Sequence, residues 1–433
     1  MSVKKNGVNV ARFISDIRHI QQKRIEYGSK EMLKIAYIVE RKYLCNPVFF
    51  SIAASLKDVT KNIFIETHEE QRMTSIPKEF DFTLEMDKEL VDEISACIKS
   101  RRIGNIIKLI KATKKLRNDV YLKLNLFKPD ALIATSDMGG TVNRLCNDWA
   151  DKNKRPFFIM QPSFLEVAPS TLKVRMREIC TYIIFNTILK IPIGRRTHYA
   201  NNERKSNFIL VWSEYFSNDV VDKSNTFYVG NPAMDNFANN KVKIDVTQPT
   251  VLICTQPYEQ MVETGLLERR QADKIYEALH DVVMENTDIH FIIKVHPRDN
   301  ESVYKRSLMD SPSQNFEIIK NGSLYELFKR SDICVSQSSY AAFEAVIYGI
   351  PIIELYRNFT PFYDSLSDVS QKANDTESLT NSIKKLLEQS ERNQFETSRL
   401  KYLNLMLPYF GYSSEITTKT ILRIIEWRKP EFK

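Results

Sequence analysis

The residues best suited to phosphate chemistry in this chain are concentrated between positions 291 and 355. The segment 294–298 reads Lys-Val-His-Pro-Arg, directly after the apolar run 291–293. The imidazole of His296 can donate to a phosphate oxygen or protonate a leaving phosphate. Lys294 and Arg298 supply positive charge for the same anion. The alternative is a surface loop with a chance His-Pro pair, because so short a pattern has little specificity.

A second cluster follows the next apolar strand of the same region. Ser338 and Ser339 precede a helical run in which Glu344 lies among small apolar residues. A serine at a helix start is first of all an N-cap, and the free backbone N–H groups there also attract phosphate. Glu344 falls about one and a half turns into the helix, where it is either a ligand for both ribose hydroxyls or a solvated residue. Gln256 follows another predicted strand and either lines the same site or belongs to a turn.

The first half of the chain contributes candidates on the acceptor side. Asp137 precedes Gly139 and Gly140 at a predicted strand-to-helix junction. It is either a general base or a capping residue, and the glycines allow close backbone approach. Gln161 and Ser163 end the adjacent predicted strand, so we expect them to face the same region.

Two sheets are needed to position these residues. Apolar runs alternate with helical periodicity in two successive arrays, which predicts an α/β protein of two Rossmann-like, doubly wound domains. Ligands of such sheets bind at the carboxyl ends of the strands, so we expect the domains to face each other across a cleft. The predicted divisions are a basic helical arm at 1–30, an N-terminal acceptor domain at 31–238 with a helical insertion near 87–127, a C-terminal nucleotide-donor domain at 239–413, and a C-terminal helix at 414–433 packing back on the first domain.

The second array is predicted in more detail because the candidate site depends on it. Apolar runs predict strands near 250–254, 290–295, 316–319, 332–335 and 351–355. Helical periodicity predicts helices near 264–286, 300–309, 323–330, 338–348 and 376–388.

Composition and charge narrow the classes of function. The 433 residues carry a net charge of +8, a modest excess that does not indicate nucleic acid. The six cysteines include no Cys-x-x-Cys pair and histidine is sparse, so we expect no metal site and mostly buried, reduced thiols. No run reaches the ~18–20 apolar residues that span a bilayer. These features predict a cytoplasmic protein that requires no cofactor.

One segment suggests contact with a membrane. Residues 171–205 are rich in lysine and arginine around an apolar stretch at 182–189. That pattern suits the inner membrane surface or a lipid-linked acceptor. The alternative, a core helix with basic ends, accounts for the same residues.

Several motifs are absent. The sequence has no G-x-G-x-x-G, no G-K-[ST] and no G-x-S-x-G, which weakens dehydrogenase, P-loop and hydrolase interpretations. It also lacks an Asp-x-Asp for a metal-bound nucleotide-sugar.

Together these motifs resemble those of GT-B glycosyltransferases, in particular bacterial surface and capsular polysaccharide enzymes. The His-Pro and Ser-Ser pairs are similar to those of bacterial sialyl- and polysialyltransferases and of CDP-glycerol glycerophosphotransferases. The segment 230–235, Gly-Asn-Pro-Ala-Met-Asp, resembles one found before the interdomain linker of capsule transferases and UDP-N-acetylglucosamine 2-epimerases. The resemblance implies that His296 binds the donor phosphate and acts as the acid, that Ser338 and Ser339 hold the phosphate, and that Glu344 binds the ribose.

The leading hypothesis is a metal-independent glycosyltransferase that inverts the sugar, with a CMP- or UDP-linked donor, a glycan or lipid-linked acceptor, and Asp137 as base. Three alternatives remain. A non-hydrolysing UDP-N-acetylglucosamine 2-epimerase needs several carboxylates, for which Asp137 and Glu166 are candidates. A glycerophosphotransferase typically has a His-Gly where this chain has residues 161–163. A non-catalytic peripheral membrane or nucleic-acid-binding protein rests on segment 171–205 alone.

Overall fold

The protein consists of two compact units, Met1–Asp235 with Leu407–Lys433, and Asn236–Met406. The structure, a computed structural model, describes residues 32–39, 42–67, 78–100, 105–136, 140–161, 176, 180, 183–188, 207–219, 225–238, 249–308, 315–337, 339–356 and 364–428. The predicted arm at 1–30 lies outside these residues.

The first unit is built on a seven-stranded parallel sheet with the strand order β3-β2-β1-β4-β5-β6-β7. Its strands are β1 (Leu33–Val39), β2 (Thr60–Glu66), β3 (Phe82–Glu85), β4 (Ala131–Ala134), β5 (Phe157–Met160), β6 (Asn207–Val211) and β7 (Thr226–Tyr228). Its helices are α1 (Lys42–Leu56), α2 (Lys88–Ser100), α3 (Ile106–Phe127) and α4 (Thr141–Lys152), with short π or 3-10 turns at Ile183–Ile188, Glu214–Asp219 and Pro232–Phe237.

The second unit is built on a six-stranded parallel sheet with the order β10-β9-β8-β11-β12-β13. Its strands are β8 (Thr250–Cys254), β9 (His290–Lys294), β10 (Phe316–Ile319), β11 (Ile333–Ser336), β12 (Ile352–Leu355) and β13 (Ser370–Ala373). Its helices are α5 (Tyr258–Glu263), α6 (Arg269–Glu285), α7 (Glu301–Leu308), α8 (Leu324–Phe328), α9 (Tyr340–Tyr348), α10 (Thr376–Leu386) and α11 (Gln389–Met406), with a 3-10 turn at Asp364–Asp368.

Both sheets are covered by helices, which explains why their inner strands are continuous apolar runs. Strands β4 and β5 are buried at every residue, and so are β11 and β12. Two Rossmann-like parallel sheets were predicted, and that fold class is confirmed.

The C-terminal helix α12 (Ser413–Arg428) belongs to the first unit. Its residues Ile421, Ile424 and Ile425 join the core that α1 and the first sheet form. A single carboxylate caps its start: Asp235 Oδ1 accepts from the backbone N–H groups of Gly411 at 3.1 Å and Ser413 at 2.9 Å, and Oδ2 accepts from Ser414 at 2.6 Å.

The same contact explains the glycine of segment 230–235. Gly230 has φ +75°, and a Cβ at this position would lie 2.8 Å from Ser413 Cβ. A side chain would therefore both strain the backbone and push α12 away. The motif serves packing between distant parts of the first unit.

The structure differs from the predicted elements in three respects. The helix predicted at 264–286 is confirmed as α6, but it begins only at Arg269, and the short helix α5 before Gly265 (φ +72°) was not predicted. Strands β3 and β13 were not predicted, because both are short edge strands with several polar or exposed residues. Helix α11 was also missed. Of the cysteines, Cys97, Cys146, Cys254 and Cys334 are buried free thiols as predicted, whereas Cys180 is exposed.

Candidate functional site

A polar row crosses the carboxyl ends of four neighbouring strands in the second sheet. The parallel register places Lys294 of β9 beside Cys254 of β8, Cys254 beside Ser336 of β11, and Ser336 beside Glu354 of β12. Register partners point to the same face of a pleated sheet. The hydroxyl of Ser336 is buried and makes no hydrogen bond within the part of the chain that the structure describes. Because buried polar groups are nearly always paired, this unpaired hydroxyl is unusual.

His296, two residues beyond the end of β9, is fixed through its backbone and its ring. Its N–H donates to Thr255 Oγ1 at 2.9 Å, and its carbonyl oxygen accepts from the N–H of Asp299 at 2.9 Å. Its ring Nδ1 accepts from the N–H of Arg298 at 3.1 Å. An accepting Nδ1 carries no proton, so the neutral ring holds its proton on Nε2. Among the described residues Nε2 makes no hydrogen bond, so it is the ring atom open to a ligand.

Two basic side chains at this edge, those of His296 and Lys294, have lowered pKa values. Burial lowers the pKa of His296, and the charges of Arg298 and Lys294 lower it further. Burial also lowers the pKa of Lys294, against a smaller opposing effect of Cys254. A bound phosphate would reverse both shifts, because a nearby negative charge favours the protonated forms.

Lys294 is anchored to the neighbouring strand. Its Nζ donates to the backbone oxygen of Lys320, which directly follows β10. The Nζ of Lys320 in turn donates to the backbone oxygen of Asp299 at 2.9 Å. The two lysines therefore connect the carboxyl ends of β9 and β10 to the turn from His296 to Asp299, which we call the His-Pro turn. Arg298 is exposed at the surface of that turn.

The strand order of the second sheet reverses between β8 and β11. In open α/β sheets this switch point is where ligands bind, at the carboxyl ends of the strands. Gln256, two residues after β8, donates through Nε2 to the backbone oxygen of Gln337 at 3.0 Å, immediately after β11. The predicted position of Gln256 therefore coincides with the switch point, where its amide joins the two strand ends.

Helix α9 begins at this edge with Ser339 as its N-cap. The Ser339 Oγ accepts from the N–H of Ala341 at 3.2 Å, which confirms the predicted cap. At the other end, Gly349 at φ 102° forms the C-cap. Ser338 lies outside the described residues, so its phosphate role stays a prediction.

Glu344 lies in the middle of α9 and is partly buried. Burial raises its pKa to about 7. Near neutral pH this carboxyl is thus divided between its protonated and ionised forms, and it can either donate to or accept from a sugar hydroxyl. The shift argues against the alternative of a solvated helix residue.

The predicted acceptor-side residues lie in the first unit. Asp137, Gly139 and Ser163 fall outside the described residues, so their roles stay predictions. Gly140 directly precedes α4, and its carbonyl oxygen accepts from the N–H of Arg144 at 3.2 Å.

Gln161 is fully buried at the end of β5. Its Oε1 accepts from the backbone N–H of Trp212 at 2.8 Å, and its carbonyl oxygen accepts from the indole N–H of the same residue at 2.9 Å. Its side chain therefore joins the ends of β5 and β6.

Three residues beside the His-Pro turn were missed by sequence reasoning: Thr255, Asp299 and Tyr304. Thr255 directly follows β8 and precedes the candidate Gln256, so its place at a predicted strand end could have indicated it. The roles of Asp299 and Tyr304 depend on contacts that the order of residues does not show.

No cluster of three or more metal-binding side chains occurs among the described residues. No helix in the same ranges is long and apolar enough to cross a membrane. Of the basic segment 171–205 only 176, 180 and 183–188 are described, and Met176, Ile183 and Ile184 there are exposed. Membrane contact through this segment stays a prediction.

No protein-family model and no curated protein matches the sequence. The fold, however, is similar to solved structures. UDP-GlcNAc 2-epimerase from Neisseria meningitidis, solved with UDP-GlcNAc, has a TM-score of 0.59 and 16% identity, covering 90% of this chain and 100% of that one. MnaA from S. aureus, solved with UDP, has a TM-score of 0.54 and 15% identity, covering 91% and 97%.

A glycosyltransferase from Rickettsia africae has a TM-score of 0.55 and 13% identity, covering 92% of this chain and 99% of that one. At such identities the likeness shows the fold alone. Together with the two parallel sheets, it shows that this chain has the GT-B fold of two Rossmann-like domains.

Proposed function

We propose that the protein is an enzyme acting on a nucleotide-linked sugar, whose diphosphate binds at the carboxyl edge of the second sheet. The observation that carries this proposal is the state of His296: a half-buried imidazole whose pKa is lowered by burial, and whose Nε2 makes no hydrogen bond to any described residue. An N–H at Nε2 is a hydrogen-bond donor to a phosphate oxygen and an acid toward a leaving phosphate. The UDP and UDP-GlcNAc bound in similar structures support a uridine nucleotide as ligand.

The remaining residues of this edge have complementary roles in the proposal. Ser339 and Ser338 would bring the phosphate to the start of α9, where backbone N–H groups and the helix dipole favour an anion. Lys294 and Arg298 add positive charge, and Gln256 holds the strand ends together. Glu344 would bind the ribose hydroxyls.

Glycosyl transfer is the first candidate reaction. The sugar would pass to a surface polysaccharide or a lipid-linked acceptor without a metal ion, with the charge on the leaving nucleotide balanced by His296, Lys294 and the helix start. Asp137 is the proposed base. The proposed acceptor contacts are Gly139, Gly140 and Ser163. Gln161 supports the strand end beside them. The glycosyltransferase among the similar structures supports this candidate.

Epimerisation at C2 of a UDP-sugar is the second candidate. Two of the three similar structures described above carry that function or its ligand in their names, and the reaction needs no acceptor. It would use the same diphosphate site and the candidates Asp137 and Glu166, which both lie outside the described residues. Membrane contact through 171–205 and a place at the inner face of the membrane belong to the transferase candidate only.

Incubation of the protein with UDP-GlcNAc in D2O separates the two candidates. Epimerisation breaks the C2–H bond, so deuterium enters the sugar and the proton signal at C2 fades in the NMR spectrum. Glycosyl transfer leaves that bond intact and releases UDP faster when an oligosaccharide acceptor mixture is added. If a panel of UDP- and CMP-sugars shows neither deuterium uptake nor nucleotide release, the proposed function is wrong.

A further inference from the structure

The His-Pro turn ends at a buried carboxylate, that of Asp299. Asp299 is 2% exposed. Its N–H closes the turn onto the His296 oxygen at 2.9 Å, and its Oδ2 accepts from the hydroxyl of Tyr304 at 2.7 Å. Burial raises the pKa of Asp299, against opposing effects of the Tyr304 hydroxyl and the Asn300 N–H. Burying a carboxylate is costly even when it is paired, so its presence needs a reason.

Helix capping does not supply that reason. Helix α7 begins at Glu301, and the side chain of Asn300 caps it by accepting from the backbone N–H of Ser302 at 3.1 Å. Asp299 lies one residue before this cap, and the side chain that accepts from the first turn of α7 is that of Asn300. Its carboxylate is directed instead to Tyr304, one turn into the helix.

Tyr304 connects the carboxylate to the core of the second unit. It is 3% exposed. Its ring contacts that of Tyr276 edge-on, with the centroids 5.5 Å apart, and Tyr276 contacts Tyr258 in the same way at 5.6 Å. These three tyrosines come from α7, α6 and α5. The Tyr304 hydroxyl is therefore held by packing from three helices, and it holds Asp299 in turn.

Asp299 is joined to His296 by a backbone hydrogen bond that closes the turn. The turn runs from His296 to Asp299, and the ring nitrogen Nδ1 depends on the N–H of Arg298 within it. If Asp299 moves, the Arg298 N–H moves too, and Nδ1 loses the bond that selects its tautomer. A ring free to hold its proton on either nitrogen would present Nε2–H for only part of the time.

We propose that Asp299 and Tyr304 are positioning residues, which hold the His-Pro turn so that His296 keeps its proton on Nε2 and presents it to the nucleotide phosphate. The inference rests on the proposed function for its ligand, but the tautomer of His296 can be measured without any ligand.

The test uses the full chain labelled with 15N-histidine, observed by NMR of the ring nitrogens. The chain has six histidines, and the signals that disappear in His296→Gln are those of His296. The wild type should show one tautomer, with the proton on Nε2. Tyr304→Phe keeps the ring and removes the hydroxyl. The 15N chemical shifts of the two ring nitrogens of His296 should then move toward each other, and the Kd for UDP should rise roughly tenfold.

Tyr37→Phe is the matched control. Tyr37 is a fully buried tyrosine of the first unit whose hydroxyl donates to Asn62 Oδ1 at 3.3 Å. The variant Tyr37→Phe also loses a hydrogen bond of a buried tyrosine hydroxyl, but far from His296 along the chain. Its His296 signals should therefore equal those of the wild type. If Tyr304→Phe gives the same His296 signals as Tyr37→Phe, the positioning role is refuted.

Two further variants decide the question if Tyr304→Phe does not fold. Asp299→Asn retains an acceptor for the tyrosine hydroxyl and must keep the single tautomer, whereas Asp299→Ala must lose it; the opposite pattern overturns the inference. The proposed function fails separately. If UDP and the other nucleotides do not bind the wild type, the ligand is wrong, and the ring spectra still report on the turn.

Discussion

His296 and Glu344 show how single residues of this site respond to burial in opposite directions. Burial lowers the pKa of the imidazole and raises that of the carboxyl, and both changes favour the neutral form. In the proposed function, a nucleotide phosphate would meet an imidazole whose neutral form is favoured by burial. The incoming phosphate then favours a proton on His296, which is the state needed to protonate a leaving group.

Glu344 should make the stability of the protein depend on pH. Its pKa is about 7 in the folded chain, against an ordinary value of 4.5. Between these values the unfolded chain binds fewer protons at this site than the folded chain, so the contribution to stability is present below pH 4.5 and is lost as the pH rises through about 7. We expect Glu344→Gln to raise Tm relative to the wild type at pH 8 but not at pH 5, measured by calorimetry.

Glu377→Gln is the control for this measurement, because Glu377 is an exposed glutamate in the first turn of α10. The Tm difference between Glu377→Gln and the wild type should change little between the two pH values. An equally constant difference for Glu344→Gln would show that its carboxyl is not perturbed by burial.

The chemical residues were easier to predict than the residues that position them. His296, Ser339 and Glu344 stand out because their types are unusual beside an apolar run. Thr255 and Tyr304 do not stand out, because their roles arise from contacts between β8, β9 and α7. Such contacts depend on which strands become neighbours, and the order of residues along the chain does not state that.

At the scale of elements, buried apolar runs were predicted well and mixed elements poorly. Strands β8 to β12 lie where apolar runs predicted them, and α4 begins at the strand-to-helix junction predicted after Asp137. Helix α11 was missed because two of its buried positions are Arg392 and Arg399, which break the apolar pattern. Arg399 donates from Nε to the backbone oxygen of Val346 at 2.7 Å and from Nη2 to that of Ile347 at 3.0 Å, near the end of α9.

Asp235 should stabilise the first unit through the start of α12. Its carboxylate accepts three backbone N–H groups at a helix N-terminus, where a negative charge is favoured. We expect Asp235→Ala to lower the free energy of unfolding by about 1–3 kcal/mol. Hydrogen exchange should show faster opening of Ser413–Arg428 in this variant.

Asp375→Ala is the matched control, because Asp375 caps α10 within the second unit by accepting from the N–H of Ser378 at 2.7 Å. It should accelerate exchange in Thr376–Leu386 and leave Ser413–Arg428 unchanged. Equal exchange of α12 in the wild type and in Asp235→Ala would contradict the capping role.

At the scale of the whole molecule, the fold is compatible with more than one reaction. Similar structures include a 2-epimerase and a glycosyltransferase, and one fold commonly serves several chemistries. The two Rossmann-like units follow from the alternation of apolar strands and helices, which is why the sequence predicted them. In the proposed function the reaction depends on a few groups of the first unit, above all the base, for which the sequence offers Asp137 and, for epimerisation, also Glu166.

Nucleotide binding at the second sheet can be tested by a thermal-shift measurement with UDP, CDP, CMP and GDP on the wild type and on His296→Gln. A ligand that binds only the folded state at 100 times its Kd stabilises it by about 2.7 kcal/mol. We predict that UDP raises the Tm of the wild type more than the other nucleotides do, and that His296→Gln loses most of this shift. If no nucleotide changes the Tm of the wild type, the second sheet does not bind a nucleotide and the proposed site is wrong.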